Sequence, residues 1–226
     1  MKKLFIIIVL LTTSMFATEK FILQNIKENI HIDKGWENIE EFDNGISVSV
    51  KEIPDIPIRA IMVKQNIDID ADIIAEVVED VPNYGNFLKS ASSMDANLLY
   101  ENEQGLFGHQ HLELKYVKDR HYAFNMFRPF GNTNRVDWEL IPEKIFKSIN
   151  ESKNVNKKGV YIDIGYGSWV VKNLENGDTE ISYRLVMHPG GSVPNFAIDY
   201  INKVAIVALF EDAINEAIKR SDRRNN

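Results

Sequence analysis

The fold of this chain is decided by residues 179–219, which read TEISYRLVMHPGGSVPNFAIDYINKVAIVALFEDAINEAIK. The segment opens with alternating polarity, which predicts a half-buried β-strand. Its later part predicts one long α-helix, and a corner rich in glycine and proline separates the two. A strand that passes through a rigid corner into a C-terminal helix can give a curved sheet a lid. The segment therefore predicts a sheet with a helix laid across it.

The corner occupies residues 188–194, HPGGSVP. Gly190 and Gly191 permit the positive φ angles that reverse the chain, because they lack a Cβ atom. Pro189 and Pro194 fix φ on either side of them. Since the predicted lid joins the sheet here, Gly190 and Gly191 are the candidate hinge residues for lid opening.

The C-terminal helix has an apolar arc wider than the usual amphipathic stripe, which predicts burial on most of its circumference. Within the arc, mostly small side chains form a line through Ala197, Ile201, Ala205 and Ala208. Small residues let a helix pack closely on a sheet, or they leave volume for a guest molecule between the two. Both interpretations stay open from the sequence.

The strands predicted to face this helix carry aromatic and deformable side chains. Such a surface forms either a plain core or the wall of an apolar pocket, in which tyrosine hydroxyls supply the polar groups. On the pocket interpretation, the ligand-binding residues are Tyr122, Phe124, Met126, Trp138, Tyr183, Leu185, Met187, Ala197, Ile201, Ala205 and Ala208.

The remaining pattern predicts one domain rich in strands. An amphipathic helix within residues 18–33 precedes strands at 46–50 and 59–67, a helix after Asp70 and a short helical piece through Leu88. Further strands are expected at 98–101, 106–117, 120–128, 136–141, 160–173 and 179–187, with a loop containing one helical turn at 143–158. Their short connections favour antiparallel pairing. The expected fold class is α+β, the helix-grip: a strongly curved antiparallel β-sheet wrapped around a long C-terminal α-helix.

Four pieces of the sequence resemble motifs of the START-domain family, the helix-grip lipid-transfer modules. They are Trp36 with the turn and strand at 43–48, residues 80–84, residues 118–122, and residues 183–194, where HPGGSVP precedes the long helix. The last piece is the most specific. The resemblance as a whole extends from residue 36 to residue 219. The resemblance, to a bacterial exported member, implies a hydrophobic cavity closed by the C-terminal helix. It also implies binding or transfer of a lipid-like molecule without catalysis.

The chain also departs from the family pattern. Tyr84 and Gly85 replace a tryptophan-containing segment, and His188 stands where aspartate is common. Met126 occupies the position nearest to the cavity arginine of some animal members. The resemblance therefore does not extend to sterol-type recognition.

The N-terminus predicts export. Lys2 and Lys3 precede a short apolar run, and small residues lead to Ala17. This is the pattern of a secretory signal peptide, and the run is shorter than the roughly 20 residues of a spanning helix. The expected division is a signal peptide at 1–17 and a START-like lipid-binding domain at 18–226. The expected location is periplasmic or secreted, after cleavage near Ala17.

Bulk composition narrows the partners. The 226 residues carry a net charge of −7, which argues against nucleic acid and against tight docking on anionic lipid. The absence of cysteine excludes thiolate catalysis and zinc–thiolate sites. We expect a monomer that binds a lipid or other hydrophobic small molecule, makes transient membrane contact, and uses no cofactor.

One constellation supports an enzyme as the alternative. His109, His111 and Glu113 would share one face of a strand, where they could meet a metal ion. The spacing does not match the cupin pattern, so a solvated outer strand face is favoured, with Leu112 facing inward. His121 is expected at a surface or interface position. No catalytic or metal-binding residue is therefore predicted. The alternative remains a helix-grip enzyme, similar to cyclases or hydrolases, that acts on a bound hydrophobic substrate.

Overall fold

The structure, a computed structural model, describes residues 21–89, 94–113, 118–149, 155, 157–175, 179–191 and 205–225. The strands are β1 (Glu37–Glu41), β2 (Ser47–Lys51), β3 (Ala60–Asn66), β4 (Met94–Asn102), β5 (Gly105–Leu112), β6 (Arg120–Phe127), β7 (Arg135–Ile141), β8 (Val160–Tyr161), β9 (Gly165–Asn173) and β10 (Thr179–Met187). The helices are α1 (21–30), α2 (Ala71–Glu79), α3 (Tyr84–Phe87), α4 (Glu143–Ile149) and α5 (Ile206–Asn225), with a 3₁₀ turn at Val81–Asn83.

The strands form one sheet in the order β1-β2-β3-β10-β9-β7-β6-β5-β4, and β8 pairs with β6. All neighbours on this path are antiparallel, and only the short β8 runs parallel to its partner. Since β1 and β4 do not pair with each other, the sheet is not closed into a barrel. The predicted helix-grip, a large antiparallel sheet with a C-terminal helix, is confirmed.

The inner face of the sheet carries the main core, together with α2 and α5. Along each strand, alternate residues point to this face, as the pleat requires. Phe210, Ile214 and Ala217 of α5 are buried at helical spacing, and they form the stripe that packs inward. The inner face is therefore the place where a cavity between sheet and helix can form.

The C-terminal end of α5 is held by ion pairs with α2. Arg220 lies 2.6 Å from Asp80 and Arg224 pairs with Glu76. The helix continues to Asn225. The carboxylates that hold these arginines lie in α2 and directly after it, far away in the sequence.

The outer face of the sheet carries α1. Lys51 donates hydrogen bonds of 2.8 Å to the carbonyl oxygens of Asn29 and Ile32, and Arg184 donates one of 3.3 Å to that of Ile30. These contacts satisfy carbonyl groups that the end of a helix leaves without partners. They fix α1 to the sheet on the side opposite to α5.

A buried carboxylate lies beneath α1. Asp137 accepts hydrogen bonds of 2.6 Å from the hydroxyls of Tyr166 and Ser168, and Arg135 lies 3.0 Å from it. His31 contacts the Tyr166 hydroxyl at 3.0 Å. Burial, followed by the charge of Arg135, lowers the pKa of His31 to about 4. Because its carboxylate is fully hydrogen-bonded, Asp137 joins the sheet to α1 without an unpaired buried charge.

Most strand predictions agree with the structure to within a few residues, and β10 agrees at both ends. Two differ. β1, with Glu37, Glu40 and Glu41, was not predicted, because its side chains are largely exposed and charged. The strand expected at 160–173 is divided into β8 and β9, because the chain leaves β6 after Tyr161 and pairs with β7 from Tyr166 onward.

Candidate functional site

A cavity of about 80 Å³ lies between the inner face of the sheet and helices α2, α3 and α5. Its walls are mostly aromatic and aliphatic. They are formed by Val77, Val78, Tyr84, Phe87, Leu88, Gln110, Tyr122, Phe124, Met126, Trp138, Trp169, Tyr183, Met187, Leu209 and Ala213. Apolar walls with a few polar groups are typical of small-molecule sites.

Strand register brings the aromatic side chains of the cavity together. Trp169 of β9 and Tyr183 of β10 lie opposite each other, and their rings stack with centroids 4.5 Å apart. Phe210 of α5 also stacks on Trp169, with ring centroids 5.5 Å apart. The stack joins α5 to the sheet next to the cavity.

Two glycines make room for the cavity's large rings. A Cβ atom at Gly108 would lie 2.3 Å from Phe124, and one at Gly167 would lie 2.5 Å from Trp138. Each ring therefore lies against the backbone of the neighbouring strand, which keeps its bulk out of the cavity.

The polar groups of the cavity are uncharged. The hydroxyl of Tyr122 donates to the side-chain oxygen of Gln110, and that of Tyr84 donates to the carbonyl oxygen of Val78. Burial raises the pKa of Tyr84, Tyr122 and Tyr183 above the ordinary value, so these phenols stay protonated. Among the described residues, those that line the cavity therefore offer hydrogen-bonding groups that carry no charge.

Six of the predicted ligand-binding residues line the cavity: Tyr122, Phe124, Met126, Trp138, Tyr183 and Met187. Leu185 is buried in the main core without lining the cavity. Whether any of them contacts a ligand stays a prediction.

The predicted small-residue face of the C-terminal helix needs correction. Ala205 is exposed and Ala208 is half-buried, and neither lines the cavity. Leu209 and Ala213 line it instead, because the helix turns this neighbouring stripe toward the sheet. Ala197 and Ile201 lie outside the described residues.

The corner after β10 has the predicted geometry. Gly190 and Gly191 have φ angles of 65° and 59°. The buried Arg120 holds the corner, with hydrogen bonds of 2.7 Å to the carbonyl oxygen of Pro189 and 3.2 Å to that of Gly190. The candidate hinge is therefore attached to the start of β6, and its hinge role stays a prediction.

The histidines of β5 and β6 lie on the outer face, away from the cavity. His109 is 0% exposed, and its Nε2 atom is 3.3 Å from Nδ1 of His121. The His109 ring stacks on Phe146 of α4 at 5.1 Å. Burial lowers the pKa of His109 to about 3, and it also lowers the pKa of His121. The expectation of a solvated face for these residues and His111 was wrong, because Phe146 of α4 and Tyr161 of β8 pack against the rings of His109 and His121.

The constellation of His109, His111 and Glu113 that the sequence suggested as an alternative is not assembled. Glu113 is exposed, whereas His111 is buried and lies 3.4 Å from a carboxylate oxygen of Asp119. Within the described ranges, no three histidine or carboxylate side chains are grouped so that they could hold a metal ion.

The cavity residues that the sequence did not predict are Gln110, Trp169, Leu209, Ala213 and the five contributed by residues 77–88. Gln110 is flanked by His109 and His111, whose side chains point to the outer face. The strand parity that placed Leu112 on the inner face places Gln110 there as well.

No protein-family model matches the sequence, and no curated protein matches it either. Solved structures do resemble it. A STAR-related lipid transfer protein from Xanthomonas axonopodis is 18% identical, with a TM-score of 0.62 over 81% of this chain and 99% of that one. Human STARD10 is 12% identical, with a TM-score of 0.64 over 90% of this chain and 81% of that one. Human StAR-related lipid transfer protein 5 is 10% identical, with a TM-score of 0.63 over 92% and 99%.

Proposed function

On the premise of the START fold that these structures share with it, we propose that this protein binds a lipid or other hydrophobic ligand in the cavity. Binding, with transfer of the ligand, would involve no chemical step. The observation that carries the proposal is the aromatic and aliphatic cavity between the inner face of the sheet and the helices. Burial of apolar ligand surface, worth about 25 cal/mol per Å², would supply the driving force.

A lipid-sized ligand must widen this cavity. Its volume of about 80 Å³ is below the roughly 300–1,000 Å³ of most ligand pockets. Met126 and Met187 in its wall are unbranched and can change rotamer at low cost. The wall is therefore suited to expand around an apolar chain.

Catalysis on the bound ligand, the alternative function, gains no support from the histidines. His109, His111 and His121 lie on the opposite face of the sheet, where Phe146 of α4 and Tyr161 of β8 pack against His109 and His121. A residue must come within hydrogen-bond reach of the reacting group to act as an acid or base. We therefore propose a binding protein rather than an enzyme.

The proposed setting is outside the cytoplasm, in the periplasm or the medium, after removal of residues 1–17. The supporting observation is the basic and apolar N-terminal pattern. In the described part of the chain, no helix is long and apolar enough to cross a membrane. The proposal includes action as a monomer, with transient membrane contact while the ligand is exchanged.

The direct test is mass spectrometry of organic extracts from protein purified from its native compartment. A defined lipid in near-stoichiometric amount supports the proposal, and a protein free of ligand overturns it. Purified protein can also be titrated with fatty alcohols of increasing chain length. Trp138 and Trp169 line the cavity, so their fluorescence reports its occupation.

A matched pair of variants locates the ligand. Ala213→Phe fills the cavity, whereas Ala205→Phe adds the same bulk at an exposed position on the same helix. We expect Ala213→Phe to lose alcohol binding and Ala205→Phe to keep it. If Ala213→Phe does not fold, Leu209→Phe serves as another variant that fills the cavity. Equal binding by all variants would place the ligand elsewhere.

A further inference from the structure

Gln110 is a polar residue in a mostly apolar wall. It is 9% exposed and faces the cavity from β5, whereas its neighbours His109 and His111 face the outer side. An amide buried without hydrogen bonds costs roughly 1–3 kcal/mol. An apolar residue at this position would avoid that cost, so the presence of glutamine needs a reason.

Tyr122 orients the amide of Gln110. The two residues lie directly opposite each other on β5 and β6, and the tyrosine hydroxyl donates to Oε1 of Gln110. This contact uses the amide's acceptor and leaves Nε2 as the group available in the cavity. Nε2 has no hydrogen-bond acceptor among the described residues.

The surroundings of the amide are uncharged. Burial raises the pKa of Tyr122, and the nearby phenol of Tyr183 raises it further, so both remain protonated. None of the described residues that line the cavity is charged. A carboxylate or phosphate bound here would therefore lose water without gaining a counter-ion from these residues.

We propose that Gln110 is a specificity-determining residue, whose Nε2 donates a hydrogen bond to an uncharged oxygen of the ligand. The ligand class is a neutral lipid or hydrophobic molecule that carries a ketone, ester or hydroxyl oxygen. Tyr122 is a positioning residue, because it acts through the amide of Gln110. Their roles rest on the proposed function, since both require a ligand in the cavity.

The experiment compares two probes that differ in one group: methyl nonyl ketone and its isosteric alkene, in which a methylene group replaces the carbonyl oxygen. Dissociation constants are measured by tryptophan fluorescence and calorimetry for the wild-type protein and for Gln110→Met. The variant keeps the length of the side chain and removes the donor. We expect ketone binding to weaken about tenfold and alkene binding to stay the same or tighten.

Two controls separate hydrogen bonding from shape. Met126→Leu changes an apolar wall residue and should affect both probes equally, while Tyr122→Phe should lower the affinity for the ketone only. Thermal unfolding checks that each variant is folded. If Gln110→Met does not fold, Gln110→Leu replaces it. An equal effect of Gln110→Met on both probes overturns the role of Gln110 alone. Failure of the wild-type protein to bind either probe overturns the proposed function and this role together.

Discussion

Acidification from pH 7 to pH 5 is expected to destabilise this protein through His109. The imidazole is buried between β5, β6 and α4, where it contacts His121 and stacks on Phe146. Burial lowers its pKa from 6.5 to about 3, so the folded protein keeps it neutral at pH 5. The unfolded chain takes up a proton there, and the equilibrium shifts toward unfolding.

The size of the effect follows from the difference between the two pKa values. Above pH 6.5 the imidazole of His109 is neutral in the folded and the unfolded protein, so it does not oppose folding. As the pH falls from 6.5 toward 3, only the unfolded chain binds the proton, and the free energy of unfolding decreases. At pH 5 the linkage relation gives a loss of about 2 kcal/mol relative to pH 7 from this one histidine. A small domain of marginal stability would show such a change clearly.

The assay is urea unfolding at both pH values for the wild-type protein and His109→Phe. Phenylalanine keeps an aromatic ring against Phe146 and cannot titrate. We expect the wild-type protein to lose about 2 kcal/mol more than the variant between pH 7 and pH 5. Phe146→Leu is the control, because it weakens the same cluster but leaves His109 in place, so its pH dependence should persist. Equal pH dependence of the wild-type protein and His109→Phe would refute the reasoning.

Three further predictions concern the backbone, the ion pairs and the cavity wall. Gly190→Ala should lower the free energy of unfolding by about 1 kcal/mol, because φ there is positive, and should slow ligand exchange if the corner is a hinge. Thermal unfolding would show the loss for this variant and none for the control Gly85→Ala. An unchanged rate of ligand exchange would contradict the hinge. Arg220→Ala should lower the free energy of unfolding by about 1 kcal/mol at low salt and by less at high salt, because the ion pairs of Arg220 with Asp80 and Glu216 are partly solvated. A loss of stability that does not depend on salt concentration would contradict this. Gly167→Ala should cost about 1–3 kcal/mol and shift the tryptophan emission, because the new methyl group displaces Trp138; unchanged stability would show that the ring has space to move.

Local patterns predicted the parts of the fold that depend on local chemistry. β10 was predicted at both ends because its alternation is bounded by turn residues. The positive φ angles of Gly190 and Gly191 follow from the same segment. Strand parity also placed Tyr122, Phe124 and Met126 together on the inner face.

The predictions that failed depend on segments distant in sequence. Whether the face with His109 is solvated is decided by Phe146, which comes from α4. The face of α5 that meets the cavity is fixed by its packing on the sheet and α2, so Ala213 replaces Ala205 as a lining residue. A helical wheel shows the width of an apolar arc, but it does not show which part of the arc meets a cavity.

Among the described strands, β1 and β4 form the two edges of the sheet, and this has a consequence for the protein at high concentration. An unpaired edge strand can add a strand from another molecule, which is a common start of aggregation. β1 presents Glu37, Glu40 and Glu41 at one edge, and α3 packs beside β4 at the other. A second molecule that approaches β1 therefore meets carboxylates. Solubility should thus depend on the charge of these side chains. Concentrated solutions should aggregate less at neutral pH, where the carboxylates are charged, than at acid pH.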